Sequence, residues 1–186
     1  MSPSHPAVLI RVMRDDEIAA VRELVSRAYA GDFVLNPAYL AEIERVADRA
    51  RTAEVWVAVD VASGALLGTV TTPRQGARLS PVARDDDELD FRFLGVAAGA
   101  RGRGVGETLV RHVLALAASR GIRRVVLNTG PEMQSAQRLY ERLGFERLPE
   151  REYRFERADG TSFLMMAYGR AVVRRAAEGV ASTSAA

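Results

Sequence analysis

The sequence predicts a mixed α/β (α+β) fold, on three observations. Short strand-like runs alternate with segments of helical periodicity along the chain. Two β-rich runs flank Ser63-Gly64, a hairpin signal. One strand runs through a glycine-rich turn directly into a helix at Leu94–Gly106. The predicted order is β-α-α-β-β-β-α-β-α-β-β, a layered sheet with one strand-turn-helix unit at its centre.

Residues 8–13 (Val-Leu-Ile-Arg-Val-Met) read as the first strand. Asp15 or Asp16 is placed to cap a helix running to about Tyr29, with Ile18, Val21, Leu24 and Val25 on one face. A second helix is expected after Asn36-Pro37, since proline suits a first helical turn, with the stripe Tyr39, Leu40, Ile43 and Val46. Glu54–Asp60 and Leu66–Thr72 form the hairpin, and residues 73–87 a polar loop. Leu89–Val96 reads as one strand, followed by a helix from about Gly104 to Arg120 with Val105, Leu109, Val113 and Leu116 at helical spacing. Arg123–Asn128 is the next strand and Glu132–Leu143 the next helix, stopped by Gly144. Two strands, about Arg151–Glu156 and Ser162–Tyr168, flank a turn at Asp159-Gly160. One domain is expected over residues 1–169, with a flexible tail over 170–186.

Composition excludes several classes. The 186 residues suit one domain with a sizeable core, and no apolar run reaches a membrane-spanning length. Residues 1–6 lack a basic start leading into an apolar stretch, so the expected address is the cytoplasm, without a membrane partner. The absence of cysteine removes disulfides and thiol chemistry. Two distant histidines, His5 and His112, do not assemble a metal site, so no metal is expected. Net charge is +2 and no aromatic-interleaved basic patch occurs, which argues against nucleic acid. Every basic side chain is arginine, so the chain has no lysine amine to serve as its own substrate.

The glycine-rich turn carries the chemistry. Gly102, Gly104 and Gly106 let the backbone turn tightly and approach a ligand. The N–H groups of the turn and of the first helical residues, Val105 to Glu107, make an anion site suited to a phosphate or pyrophosphate, with Arg101 and Arg103 at its rim. No Gly-Lys-Ser/Thr follows, so it is not a Walker A loop, and the Rossmann spacing fails because the third glycine would fall at Glu107 or Leu109.

Arg101-x-x-Gly104-x-Gly106 resembles the Arg/Gln-x-x-Gly-x-Gly/Ala signature of the GNAT acetyltransferases. Asp90-Phe-Arg-Phe-Leu-Gly-Val96 resembles that family's Glu-x-Arg-x-Leu-Ala-Val strand, and Leu139-Tyr140-Glu-x-Leu-Gly-Phe145 its helix ending. The resemblance implies a central, mostly antiparallel mixed sheet flanked by helices. It implies an acetyl-CoA-dependent N-acetyltransferase acting by direct attack in a ternary complex, on a small-molecule or peptide amine. Backbone groups of Leu94, Gly95 and Val96 would then hold the pantetheine arm, with the Val96 N–H as oxyanion donor, and Arg101 to Glu107 the pyrophosphate. Tyr140 would be the general acid and Asp90 the base, one methylene shorter than the family's usual Glu. Arg92 could instead pair with Asp90 as a structural ion pair. Asn128 could bond pantetheine or cap its strand. Met133 stands where many relatives carry a pantetheine-binding Asn. Many members form homodimers through late strands, so a homodimer is implied.

Acceptor choice is read from the residues between the first two helices. Tyr29, Phe33 and Tyr39 are candidate pocket residues, with ordinary aromatic core as the alternative. The run Asp85-Asp86-Asp87-Glu88 either attracts a cationic amine or is a solvated loop. The departures at Asp90 and Met133 leave an acyl-CoA-binding regulatory module open as an alternative, and a longer acyl-CoA as another.

Overall fold

The computed structural model describes residues 7–30, 37–156 and 159–173. Strands β1 (Val8–Val12), β2 (Ala53–Asp60) and β3 (Leu66–Pro73) form an antiparallel meander, closed at the β2–β3 turn by Gly64 at φ +73°. The Asp60 carboxylate accepts the backbone N–H groups of Ala62 and Ser63, each at 3.0 Å, and fixes that turn.

Between β1 and β2 lie three helices: α1 (Ile18–Ala30), α2 (Pro37–Glu44) and α3 (Val46–Thr52). Helix α1 buries Val21, Leu24, Val25, Ala28 and Tyr29, as the apolar spacing requires. Its start differs from expectation. Asp15 and Asp16 lie in a 3-10 turn (Asp15–Glu17), and Arg14 takes the cap position. Glu17 does the capping. Its carboxylate accepts the Arg14 backbone N–H at 2.9 Å and both terminal nitrogens of Arg11 at 2.7 and 2.6 Å. The predicted second helix is broken at Arg45, whose ψ of 48° is not helical. The Arg49 guanidinium bonds the Glu42 carbonyl at 2.6 Å and the Ile43 carbonyl at 2.8 Å. The end of α2 is thereby satisfied without continuing the helix.

The expected strand over Leu89–Val96 is two strands. β4 (Glu88–Asp90) pairs in parallel with β6 (Arg124–Thr129), while β5 (Arg92–Val96) pairs antiparallel with β3. Two sheets result, ordered β1-β2-β3-β5 and β4-β6-β9-β7, where β7 is Glu146–Arg147 and β9 is Ser162–Ala171. β8 (Tyr153–Glu156) pairs with the N-terminal half of β9, which overhangs the Thr129 end of β6. Strand β9 passes the expected end at Tyr168 and takes Arg170 and Ala171, assigned to the tail from sequence, into the sheet against Val125 and Arg124. Residues 174–186 lie outside the described residues.

Helices α4 (Val105–Ser119) and α5 (Gln134–Arg142) complete the order. Val105, Leu109, Val110, Val113 and Ala117 of α4 pack with Val70, Val125, Leu127 and Tyr140 in one core, and α1 with Ile43, Val46, Val55, Val57 and Phe93 in the other. The approach of α4 is close, as interior packing demands. A Cβ on Gly68 would stand 3.0 Å from a Leu109 methyl and 2.9 Å from the Gly95 carbonyl oxygen. Among the described residues no helix is long and apolar enough to cross a membrane.

The Arg11 hydrogen bonds outweigh burial and pull the Glu17 carboxyl down from 4.5 to about 2, as pairing with a cation does. A depressed carboxyl stabilises the fold above its unfolded pKa and loses that contribution as pH falls through the folded value. Glu17→Gln is therefore expected to cost about 1–3 kcal/mol at pH 7. Urea unfolding at stepped pH should show the gap from wild type closing as pH drops from 4.5 toward 2. A gap independent of pH would remove the charge from the explanation.

Candidate active site

The glycine turn leads the chain from β5 through a 3-10 turn (Ala98–Ala100) into α4. Gly102 and Gly104 hold φ of +73° and +78°, a region costly for residues with a Cβ. Open space lies where a Cβ would stand on either. Gly104 is the N-cap of α4 and no side chain caps it. The N–H groups of Val105, Gly106 and Glu107 are therefore left without a capping side chain at the positive end of the helix. Gly106 serves packing: its Cβ would meet Leu139 at 3.3 Å and Val96 at 3.5 Å. The Glu107 carboxylate turns along the helix to Arg111 at 2.8 Å. Arg103 is half-exposed beside Asp60, at 3.7 Å. Arg101 does more than line the rim. Its guanidinium donates to the Ala28 carbonyl at 3.0 Å and ties the turn to the last turn of α1. That reach depends on Gly95, where a Cβ would stand only 3.3 Å from the Ala28 Cβ.

A cleft opens where the two sheets part. The β4–β6 pairing ends at Asp90 opposite Val126. Beyond it the β3–β5 ladder shifts register between Thr69 and Thr71, a local irregularity that bends the strand. Phe93 has a positive φ, which is strained for a bulky residue. Two guanidinium groups, of Arg49 and Arg92, lie over the Phe93 ring at 4.1 and 4.6 Å and hold it there. The Ala97 N–H donates to Leu67 and Gly95 faces Thr69 in the ladder. By alternation the peptide groups of Leu94 and Val96 point to the open side. The opposite bank is β6, where the Asn128 amide donates to the Met166 carbonyl at 3.3 Å.

The cleft ends in a cavity of about 380 Å³. Leu94, Asn128, Tyr140 and Tyr29 line it together, with Tyr39, Glu42, Ser80, Arg92 and Met133. Val96 does not, and Phe33 lies outside the described residues. Tyr140 is buried against Phe91, with ring centroids 5.9 Å apart, and against Phe145, with ring centroids 5.8 Å apart. That burial holds its phenol well above the usual tyrosine range. Its hydroxyl has no hydrogen-bond partner among the described residues.

Asp90 does not continue the strand of Arg92 and Leu94. The break at β4–β5 removes it from the face of Arg92 and Leu94, and it is fully buried. Its carboxylate accepts the Leu79 N–H at 3.0 and 3.1 Å and the Ser80 hydroxyl at 2.8 Å. Burial, opposed by those bonds, raises its pKa above the ordinary 3.8, because a charged carboxylate is disfavoured away from water. Ser80 lines the cavity and Asp90 stands behind it. Arg92 pairs with Glu42 at 2.7 Å, not with Asp90. The acidic run is engaged elsewhere: Asp85 and Asp86 border a separate depression of about 300 Å³, Asp87 pairs with Arg123, and buried Glu88 with Arg151 at 2.7 Å. His112 stacks on Trp56 at 4.3 Å, away from the cleft.

Sequence reasoning missed Ser80, Glu42 and the apolar wall of Phe155, Phe163 and Met165. Ser80 comes from a loop with no periodicity, Glu42 from an unexceptional helix, and the wall from a hairpin whose overhang no local pattern reports.

The chain matches the acetyltransferase (GNAT) family over residues 18–145. It is 31% identical over 113 residues to N-acetylaspartate synthetase of Danio rerio, covering 61% of this chain and 36% of that protein. It is 34% identical over 105 residues to mycothiol acetyltransferase of Cellulomonas flavigena, covering 53% of this chain and 30% of that protein. The chain thus spans about a third of the length of these two relatives. Its fold resembles the ribosomal-protein-S18-alanine N-acetyltransferase from Escherichia coli, with TM-score 0.66 and 18% identity over 94% of this chain and 99% of that one. It also resembles an acetyltransferase of the GNAT family from Staphylococcus aureus Mu50, with TM-score 0.66 and 16% identity over 90% of this chain and all of the other. The matched segment takes in the glycine turn, both banks of the cleft and Tyr140, and by it this chain belongs to the GNAT acetyltransferase family.

Proposed function

We propose that the chain transfers an acetyl group from acetyl-CoA to a primary amine, by direct attack within a ternary complex. One observation carries this reading: β5, with its open edge, runs from the cavity that Leu94 and Tyr140 line to the glycine turn before the uncapped start of α4. The space beside Gly102 and Gly104 fits a pyrophosphate on the N–H groups of Val105 to Glu107. The Leu94 and Val96 peptide groups suit the amides of a pantetheine arm, and Asn128 stands across from them. Acetyl-CoA supplies an activated thioester carbonyl. The Leu94 N–H is the better oxyanion donor, because Leu94 lines the Tyr140 cavity and Val96 does not.

Two proton movements remain. The departing sulfur needs a proton, and Tyr140 keeps its own at working pH because burial disfavours the phenolate. The attacking amine must lose one. Asp90 is too enclosed to touch it, but Ser80 faces the cavity and donates to Asp90 at 2.8 Å. A lone pair of Ser80 Oγ accepts the amine proton while the hydroxyl proton passes to Asp90. Asp90 so acts as the base through Ser80. We assign this activity to a single unit reaching the end of β9 at Ala171.

Tyr140→Phe is expected to lower kcat by about 10²–10³-fold with little change in acetyl-CoA affinity. Thiol release and calorimetry measure the two quantities, and full turnover in a folded variant would remove Tyr140 as the acid. Ser80→Ala and Asp90→Asn should both move the acid limb of the kcat/KM–pH profile up toward the acceptor's own amine pKa. Ser80→Thr should restore much of it. A wild-type profile in Ser80→Ala would end the relay. Tight acetyl-CoA binding without thiol release on any amine would favour a binding module instead.

A further inference from the structure

The acceptor half of the cavity carries charges of both signs. Arg92 and Glu42 line it from β5 and α2, joined by one bond from Nη1 to Oε1 at 2.7 Å. Tyr39 also shares a side-chain hydrogen bond with Arg92, but a guanidinium has five N–H donors and a carboxylate two oxygens, so both groups keep capacity beyond these bonds. The guanidinium rests on the Phe93 ring with Tyr39 beside it, and its side chain is 30% exposed. It is therefore fixed and partly stripped of water, yet reachable. A fixed planar guanidinium with N–H groups to spare is a receptor for a carboxylate.

The partner ion narrows the choice. A purely cationic acceptor would meet the Arg92 charge, and a purely anionic one would meet Glu42. A zwitterion satisfies both, and replaces one ion pair by two. The β8–β9 hairpin adds an apolar wall of Phe155, Phe163 and Met165, with the two phenyl rings 5.3 Å apart, while Tyr153 and Glu132 also line the cavity. Such a wall accepts an apolar side chain and leaves a charged one unpaired.

We propose that the acceptor is a free α-amino acid with an apolar side chain, its carboxylate on Arg92 and its side chain against Phe155, Phe163 and Met165. This rests on the acetyl-transfer reading of the same site. The α-nitrogen attacks the thioester carbonyl, an N–C bond forms and the C–S bond breaks. The bound α-ammonium has two protons to lose: the first leaves through Ser80 to Asp90 and frees the lone pair, the sulfur takes the Tyr140 proton, and the second nitrogen proton returns to the Tyr140 oxygen. The products are an N-acetyl amino acid and CoA.

The test is thiol release from acetyl-CoA with L-leucine and L-phenylalanine, their amides, 3-methylbutylamine and phenethylamine, and dipeptides beginning with Leu or Phe. Rates are referred to the free-base concentration of each amine. The two amino acids should exceed their amides, amines and dipeptides in kcat/KM by about tenfold or more. Arg92→Gln should bring that ratio close to one, with Arg92→Lys between, and acetyl-CoA binding reports whether each variant has folded. An amide or dipeptide that matches the free acid in the wild-type protein overturns the proposal, whatever the variants do. Turnover of other amines but not of amino acids overturns it and leaves acetyl transfer standing. Binding of acetyl-CoA with no thiol release from any amine overturns both.

Discussion

Between Asp90 and Arg92 the chain leaves one sheet and joins another, and most of the site follows from that step. Asp90 is the last residue of β4 paired with β6, and Arg92 is the first of β5 paired with β3. Two strands that would otherwise share a ladder diverge, and peptide groups that would have bonded each other are left facing a cleft. Unpaired backbone groups in a protein interior are costly unless something meets them. A ligand with amides of its own would meet them, which is why the proposed reading places a binding arm at this defect in the sheet. The backbone at the break is strained at Phe93, whose φ is positive, and strain of this kind persists only where its surroundings enforce it. Here the enforcement comes from the buried ring and from the guanidinium groups of Arg49 and Arg92 over it.

Those same arginines link the break to the acceptor side. Arg49 caps α2 and touches Phe93, while Arg92 touches Phe93 and pairs with Glu42 of α2. Arg101 links the glycine turn to the end of α1. The helices that precede β2 are thereby fastened at both ends of the cleft. The ion pairs within this region matter as positioning devices more than as sources of stability, since pairing in a partly buried site is largely offset by desolvation.

The burial of Asp90 changes what a carboxylate at that position can do. Removed from the cavity and bonded by Leu79 and Ser80, it cannot reach a substrate, yet burial raises its affinity for a proton. In the proposed reaction Ser80 lets this enclosed carboxylate act as a base at the cavity wall. Tyr140 is treated in the opposite way: it shares the buried surroundings but presents its hydroxyl to the cavity without a partner among the described residues. Two titratable groups with different surroundings thus lie beside Phe91, and the proposed reaction gives them separate tasks.

Local physics made much of this chain legible from sequence alone. Helix α1 and helix α4 follow from apolar spacing, the β2–β3 hairpin from its turn residues, and the turn into α4 from glycines at positions that need φ above zero. Family membership followed from three motifs whose residues are close in sequence. Only the tertiary structure decided the break in the expected Leu89–Val96 strand, because the competing partners β3 and β6 are distant in sequence and alternation alone reads through it. It likewise decided that Glu17 rather than Asp15 or Asp16 caps α1, through Arg11 on a neighbouring strand. It decided that Arg92 pairs with Glu42, fifty residues away, and that Asp90 stands behind Ser80. The proposed donor site is written in one short stretch of backbone and so can be read from sequence. The acceptor site is assembled from separate elements whose meeting is set by packing, and no local pattern encodes that meeting.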